Sequence, residues 1–119
     1  MEETVTEKRS STAAACERLL NIIRILRGPG GCPWDCEQTP LSMRRDLMEE
    51  VFEAIDAISS GNIGHIKEEL GDVCLNALMI AYMFEQTGKF TVADVFNELT
   101  EKLVRRHPMY LRRVRGKSV

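Results

Sequence analysis

Two short runs of this chain set carboxylates three residues apart inside otherwise apolar, helix-periodic sequence: Leu47-Met48-Glu49-Glu50-Val51-Phe52-Glu53 and, further on, Glu68-Glu69-Leu70-Gly71-Asp72. Residues three apart share a helix face, so Glu50 and Glu53 form one pair and Glu69 and Asp72 another. If the two helices pack antiparallel, all four acids meet. Carboxylates at close range repel one another strongly unless a cation lies between them. A fold for this chain must therefore leave both pairs in water or gather them around a cation, and the rest of the sequence decides between the two.

The hydrophobic pattern has the helical period almost throughout. A first helix is expected from about Ala13 to Arg27, capped by Ser11 or Thr12, and its apolar positions Leu19, Leu20, Ile22, Ile23, Ile25 and Leu26 are denser than a single stripe needs. That density suggests burial on two sides, one of them against a second subunit. Gly28 to Asp35 contains three Gly and two Pro and cannot continue a helix. The only Trp of the chain, Trp34, lies in this loop, where it is either a plug for the core or a stacking surface for a flat ligand.

Thr39-Pro40 reads as N-cap and first-turn Pro of a second helix ending near Ser59, with an apolar stripe of Leu47, Val51, Ala54, Ile55 and Ile58 widened by Met48 and Phe52. Ser60-Gly61-Asn62 closes it and caps a third helix from Ile63 to Gln86. Thr91 and Asp94 resemble a capping box, opening a fourth helix to Arg106 with Val92, Val95, Phe96, Leu99 and Leu103 expected to be buried; His107-Pro108 stops it. The expected architecture is all-α, a four-helix bundle with short links. Residues 1–11 read as an arm, 12–108 as the helical domain and 109–119 as a basic tail.

Net charge is −2, so the total suggests no nucleic-acid polymer as partner. The distribution says more: from Leu41 to Asp72 eight acids face three bases, and beyond Glu101 there are seven Lys or Arg and no acid. An acidic centre and a basic end suit an anionic ligand held partly by metal and partly by basic side chains. No stretch approaches the roughly 18 apolar residues of a membrane span, and Met1 to Ser11 has no signal-peptide core, so a cytoplasmic location is the default. Cys16, Cys32, Cys36 and Cys74 are expected to be reduced there. Cys32 and Cys36 have no second close Cys or Cys/His pair beside them, which argues against structural zinc.

An isolated Glu-x-x-Glu on a helix is most often a solvated face. Here Asp46, Glu50, Glu53 and Asp56 trace a narrow stripe, lysines at the matching i+4 positions are scarce, and a second acidic pair lies on the neighbouring helix. Together these favour a metal. The candidate ligands are all hard oxygens, and His65 and His107 lie outside the two spacings, so the Glu-x-x-His pairs of a di-iron bundle are missing. Magnesium, or manganese in its place, fits such a set and normally shares its coordination sphere with substrate phosphates. Lys102, Arg105 and Arg106 can offset remaining phosphate charge, although a basic helix C-terminus also arises from the helix dipole alone.

From Leu26 to Pro108 the chain resembles the MazG-type nucleoside triphosphate pyrophosphohydrolases of the all-α NTP pyrophosphatase superfamily. The resemblance rests on four elements in order: Leu26-Arg27 with Gly31-Cys32-Pro33-Trp34-Asp35 and Glu37-Gln38-Thr39; Glu49-Glu50-Val51-Phe52-Glu53; Glu69-Leu70-Gly71-Asp72; and Lys102-Leu103-Val104-Arg105-Arg106-His107-Pro108. It implies Mg2+-dependent hydrolysis of an NTP or dNTP to the monophosphate and pyrophosphate. Glu50, Glu53, Glu69 and Asp72 would then be metal ligands, with Glu49 and Glu53 acting on the water. Trp34, Asn76, Lys102, Arg105 and Arg106 would contact substrate, and a homodimer or homotetramer would complete the bundle. Cys36 and Met109-Tyr110 depart from the family pattern. Rival readings are a non-catalytic helical interaction module, a nucleotide-binding regulator and, within the superfamily, a dUTPase-like or phosphoribosyl-ATP-directed enzyme.

Overall fold

The computed structural model describes residues 5–111, with side chains from residue 11 onward. Six helices follow in order: α1 (Val5–Arg27), α2 (Pro33–Glu37), α3 (Arg44–Ser60), α4 (Ile63–Gln86), α5 (Val92–Arg106) and α6 (Pro108–Leu111). The described residues are thus helix and turn throughout, as the periodicity requires. α4, about 36 Å long at 1.5 Å per residue, is the hub, packing against α3 most extensively and against α1 and α5 less so.

Helix ends follow local chemistry. Gly61 takes φ of 74°, a left-handed cap that residues other than Gly adopt at a cost. Asn62 then accepts from the His65 amide at 3.0 Å and starts α4, so α3 and α4 form a tight antiparallel hairpin. Thr91 and Asp94 make the reciprocal capping box expected of them. Phe84 and Phe90 stack at 5.1 Å across the turn between α4 and α5.

Other boundaries differ from expectation. α1 begins at Val5, well before Ala13, because residues 5–15 contain no Gly or Pro and are rich in good helix formers. Thr39 and Ser42 cap one another (2.8 and 3.1 Å) in a turn, and regular α3 starts only at Arg44. Pro33 opens the short helix α2 inside the expected loop, and Pro108, beyond the expected end of the fourth helix at Arg106, opens the further short helix α6; in both, proline occupies a first-turn position that needs no amide donor. The arm at residues 1–4 and the tail beyond Leu111 lie outside the described residues.

The largest difference is in burial. The core gathers Leu20, Ile23, Met43, Met79, Ala81, Met83 and Val92, mostly from α1 and the C-terminal half of α4. On α3 only Ala54 and Ala57 are buried; Met48, Val51, Phe52, Ile55 and Ile58 are exposed. Of the apolar positions expected to be buried on α5, Val92 alone is, while Val95, Phe96, Leu99 and Leu103 are exposed. Among the described residues no helix covers these faces. The radius of gyration, 16.9 Å, exceeds the ~13.5 Å of a compact domain of this length.

Candidate active site

The small side chains of Ala54 and Ala57 let α3 approach α4 closely. Glu50 lies one turn before Ala54 on the same face, so close packing of the two alanines carries its carboxylate inward as well. Across the interface, Glu69 and Asp72 sit one turn apart on α4, with Glu69 only 6% exposed. Ligand atoms of Glu50, Glu69 and Asp72 lie within 4.8 Å of one another. The convergence foreseen from spacing thus exists for three acids.

Two of their oxygens, Glu50 Oε2 and Glu69 Oε2, are buried without a hydrogen-bond partner. Burial first, and then the charges of Glu53 and Asp72 and the nearby Glu69 carboxyl, push Glu50 up to about 7. Glu69 is raised as well, by burial and then by its contact with Glu53. Buried acids of this kind are costly alone and need a proton or a cation. An all-oxygen set with unpartnered buried atoms fits a hard divalent ion.

Glu53 influences Glu50 and Glu69 electrostatically but its side chain is exposed, which places it at the rim of the cluster. Glu49 faces outward and pairs with Arg45 at 3.5 Å, an i, i+4 contact supplied by an arginine rather than a lysine. Asn76 is 7% exposed. Its Nδ2 donates to the Asp72 carbonyl at 2.9 Å, and its Oδ1 is buried without a partner. His65 Nε2 lies 3.3 Å from Glu69 Oε1. Sequence reasoning passed over this neighbour, although the i, i+4 interval from His65 to Glu69 was available.

Lys102 and Arg105 line an open groove of about 690 Å³ with Phe90, Val95, Glu98, Leu99 and Glu101. Among the described residues no ion pair joins Lys102, Arg105 or Arg106 to the acidic cluster. Trp34 is 59% exposed on α2 and so is not a core plug. Cys36, which departs from the family pattern, directs its Sγ to the Leu26 carbonyl at 3.4 Å at the end of α1.

A model of the MazG nucleotide pyrophosphohydrolase domain matches residues 38–111. Among curated relatives, the Bacillus subtilis protein YabN, itself uncharacterised, is 49% identical over 88 residues, covering 74% of this chain and 18% of its own length. The MazG nucleoside triphosphate pyrophosphohydrolase/pyrophosphatase of Thermotoga maritima is 47% identical over 92 residues, 77% of this chain and 36% of its own. The Escherichia coli K12 nucleoside triphosphate pyrophosphohydrolase is 39% identical, over 77% of this chain and 35% of its own. The chain thus spans well under half the length of these relatives. The crystal structure of a mazG-related protein from Thermotoga maritima superposes with a TM-score of 0.68 at 27% identity, covering 87% of this chain and 86% of that one. Motif order, helical architecture and these matches agree: the chain belongs to the MazG nucleotide pyrophosphohydrolase domain family.

Proposed function

We propose that this protein is a Mg2+-dependent nucleoside triphosphate pyrophosphohydrolase, releasing pyrophosphate and the monophosphate from an NTP or dNTP, with Mn2+ able to substitute. The observation that carries this reading is the pair of buried, unpartnered carboxylate oxygens of Glu50 and Glu69 within the cluster they form with Asp72. Glu50, Glu69 and Asp72 would hold the cation from the inside, and Glu53 would complete the set from the rim. Bound there, the ion supplies charge screening of the phosphates and an acidified water.

The chain's own residues do the rest. Glu53, exposed beside the cluster, would accept the proton of a water attacking the α-phosphorus. Glu49 would orient that water once released from Arg45. Lys102, Arg105 and Arg106 supply cations for the outer phosphates, Asn76 offers its unpartnered Oδ1, and Trp34 offers an indole face. Because α3 and α5 expose apolar faces, we take the working form to be a homodimer or homotetramer. No helix among the described residues is long and apolar enough to cross a membrane, and the expected compartment of the enzyme is the cytoplasm.

Product analysis tests the reaction. Incubation with Mg2+ and a panel of NTPs and dNTPs should release pyrophosphate; orthophosphate as the primary product would refute cleavage at the α–β bond. Glu53→Gln should abolish turnover without changing helicity, and full activity would remove Glu53 from the site. Nucleotide binding without hydrolysis would leave a regulator instead.

A further inference from the structure

Arg27, the last residue of α1, spends its guanidinium on the protein itself. Nε donates to Gln86 Oε1 at 2.7 Å, and Nη1 donates to the carbonyls of Asp35 and Gln38, the latter at 3.0 Å. Gln38 in turn donates from Nε2 to the Trp34 carbonyl at 3.2 Å. One side chain therefore ties both the middle and the C-terminal flank of α2 to the end of α4.

α2 has five residues, none of them buried. So short a helix has no independent stability, and apolar packing does not hold it. Its entry is equally constrained, since a Cβ on Gly31 would lie 2.4 Å from the Ile25 and Leu26 carbonyl oxygens. The segment is thus fixed by polar bonds and a tight turn, yet the side chain it displays is an exposed indole, the chain's single Trp. An aromatic side chain carried on a fixed stretch of backbone and left largely in water suits a flat π-system, which then stacks at reduced ordering cost.

We propose that Arg27 is a positioning residue that holds Trp34 as a preformed stacking surface for the nucleobase of the substrate. This rests on the nucleotide reading above and deepens it. The hydrogen bonds that Arg27 makes from Nε and Nη1 all run to Gln86, Asp35 and Gln38, so the action proposed for it passes through α2. Lysine cannot replace it, having no planar fork to serve separate acceptors.

The single Trp makes the test direct. Emission of Trp34 is followed while a hydrolysis-resistant α,β-methylene NTP is added with Mg2+, and in parallel while inorganic tripolyphosphate is added. The expected result is quenching by the nucleotide and none by tripolyphosphate. In Arg27→Lys the quenching should weaken and KM rise about five- to tenfold, the scale of one lost hydrogen bond. Its kcat and Mg2+-induced thermal shift should be kept. Gln86→Leu, a milder change should Arg27→Lys fail to fold, should move KM and quenching in the same sense by less. Hydrolysis without base-dependent quenching would overturn the proposal while leaving the reaction intact. So would unchanged quenching and KM in a folded variant, or parallel losses of kcat and of the Mg2+ shift, which mark a purely structural staple. A chain that neither bound the analogue nor released pyrophosphate would overturn both readings.

Discussion

α3 has two faces that reverse the usual arrangement of an amphipathic helix. Toward α4 it presents Glu50, one turn before the buried Ala54 and Ala57. Away from α4 it presents Met48, Val51, Phe52, Ile55 and Ile58, all exposed, with Phe52 at 63%. Water-soluble helices normally do the opposite. The inner face is tolerable only if its charge is met by a proton or cation. The outer face leaves a run of large apolar side chains in water, a pattern that marks interaction surfaces. On the reading proposed above, a cation would complete the inner face and a second subunit the outer one. α5 repeats the outer pattern with Val95, Phe96, Leu99 and Leu103.

The sharpest way to break the comparison is at the inner face. Glu50→Gln or Glu69→Gln should reduce pyrophosphate release by about a thousandfold or more, the scale of losing a principal electrostatic contact at the reacting centre. The same variants should melt higher than the parent without metal, because a buried, repelled carboxyl is gone, and should lose the Mg2+-induced rise in Tm. Thermal melts with and without Mg2+ check both signs; a metal-free Tm below that of the parent would show that the acids stabilise the fold.

The outer face comes next. Phe52→Glu combined with Ile55→Glu should shift the protein to a monomer of about 13.5 kDa in sedimentation and lower its Tm, since repulsion replaces apolar burial on both copies of the interface. An unchanged assembly would show that this face lies outside the interface.

A third effect is smaller and depends on pH. Burial and the neighbouring carboxylates push Glu50 up to about 7 in the fold, above its ordinary value of 4.5. Between these values the native state binds more protons than the unfolded chain, so metal-free stability is highest at the acid end and declines as pH rises toward 7. With saturating Mg2+ the trend should invert, because ligation requires the ionised carboxylates. Melting curves at pH 5, 6, 7 and 8 in both conditions read this directly. The least effect is expected at Glu49, whose pair with Arg45 is exposed. Glu49→Gln should change stability by no more than about 0.5 kcal/mol, so any fall in kcat measures its chemical role.

Much of the fold was legible because it is locally encoded. The left-handed Gly61, the Asn62 cap and the Thr91/Asp94 box all act within four residues, and each appears where its chemistry requires. The acids of the two motifs were likewise legible as pairs, because three-residue spacing puts them on one face. Which face α3 would bury was not. Its stripe of large apolar residues and its acidic stripe compete for the contact, and a one-dimensional pattern ranks the apolar stripe first. Trp34 was open to either a buried or an exposed reading, because a loop of Gly and Pro does not encode which way it folds back. The staple from Arg27 to Gln86 joins residues 59 apart and has no local signature.

By itself, then, the sequence determined the helices, their caps, the antiparallel hairpin of α3 and α4 and the residue types available to a metal and a phosphate. These follow from hydrogen bonds and side-chain periodicity within a few residues. Only the tertiary structure decided the rotation of α3 about its axis, the exposure of Trp34 and the separation of Glu50, Glu69 and Asp72 from Glu49. Those depend on which surfaces can approach closely, and the small Ala54 and Ala57, rather than the larger apolar residues, allow α3 to settle against α4 with the carboxylates inside.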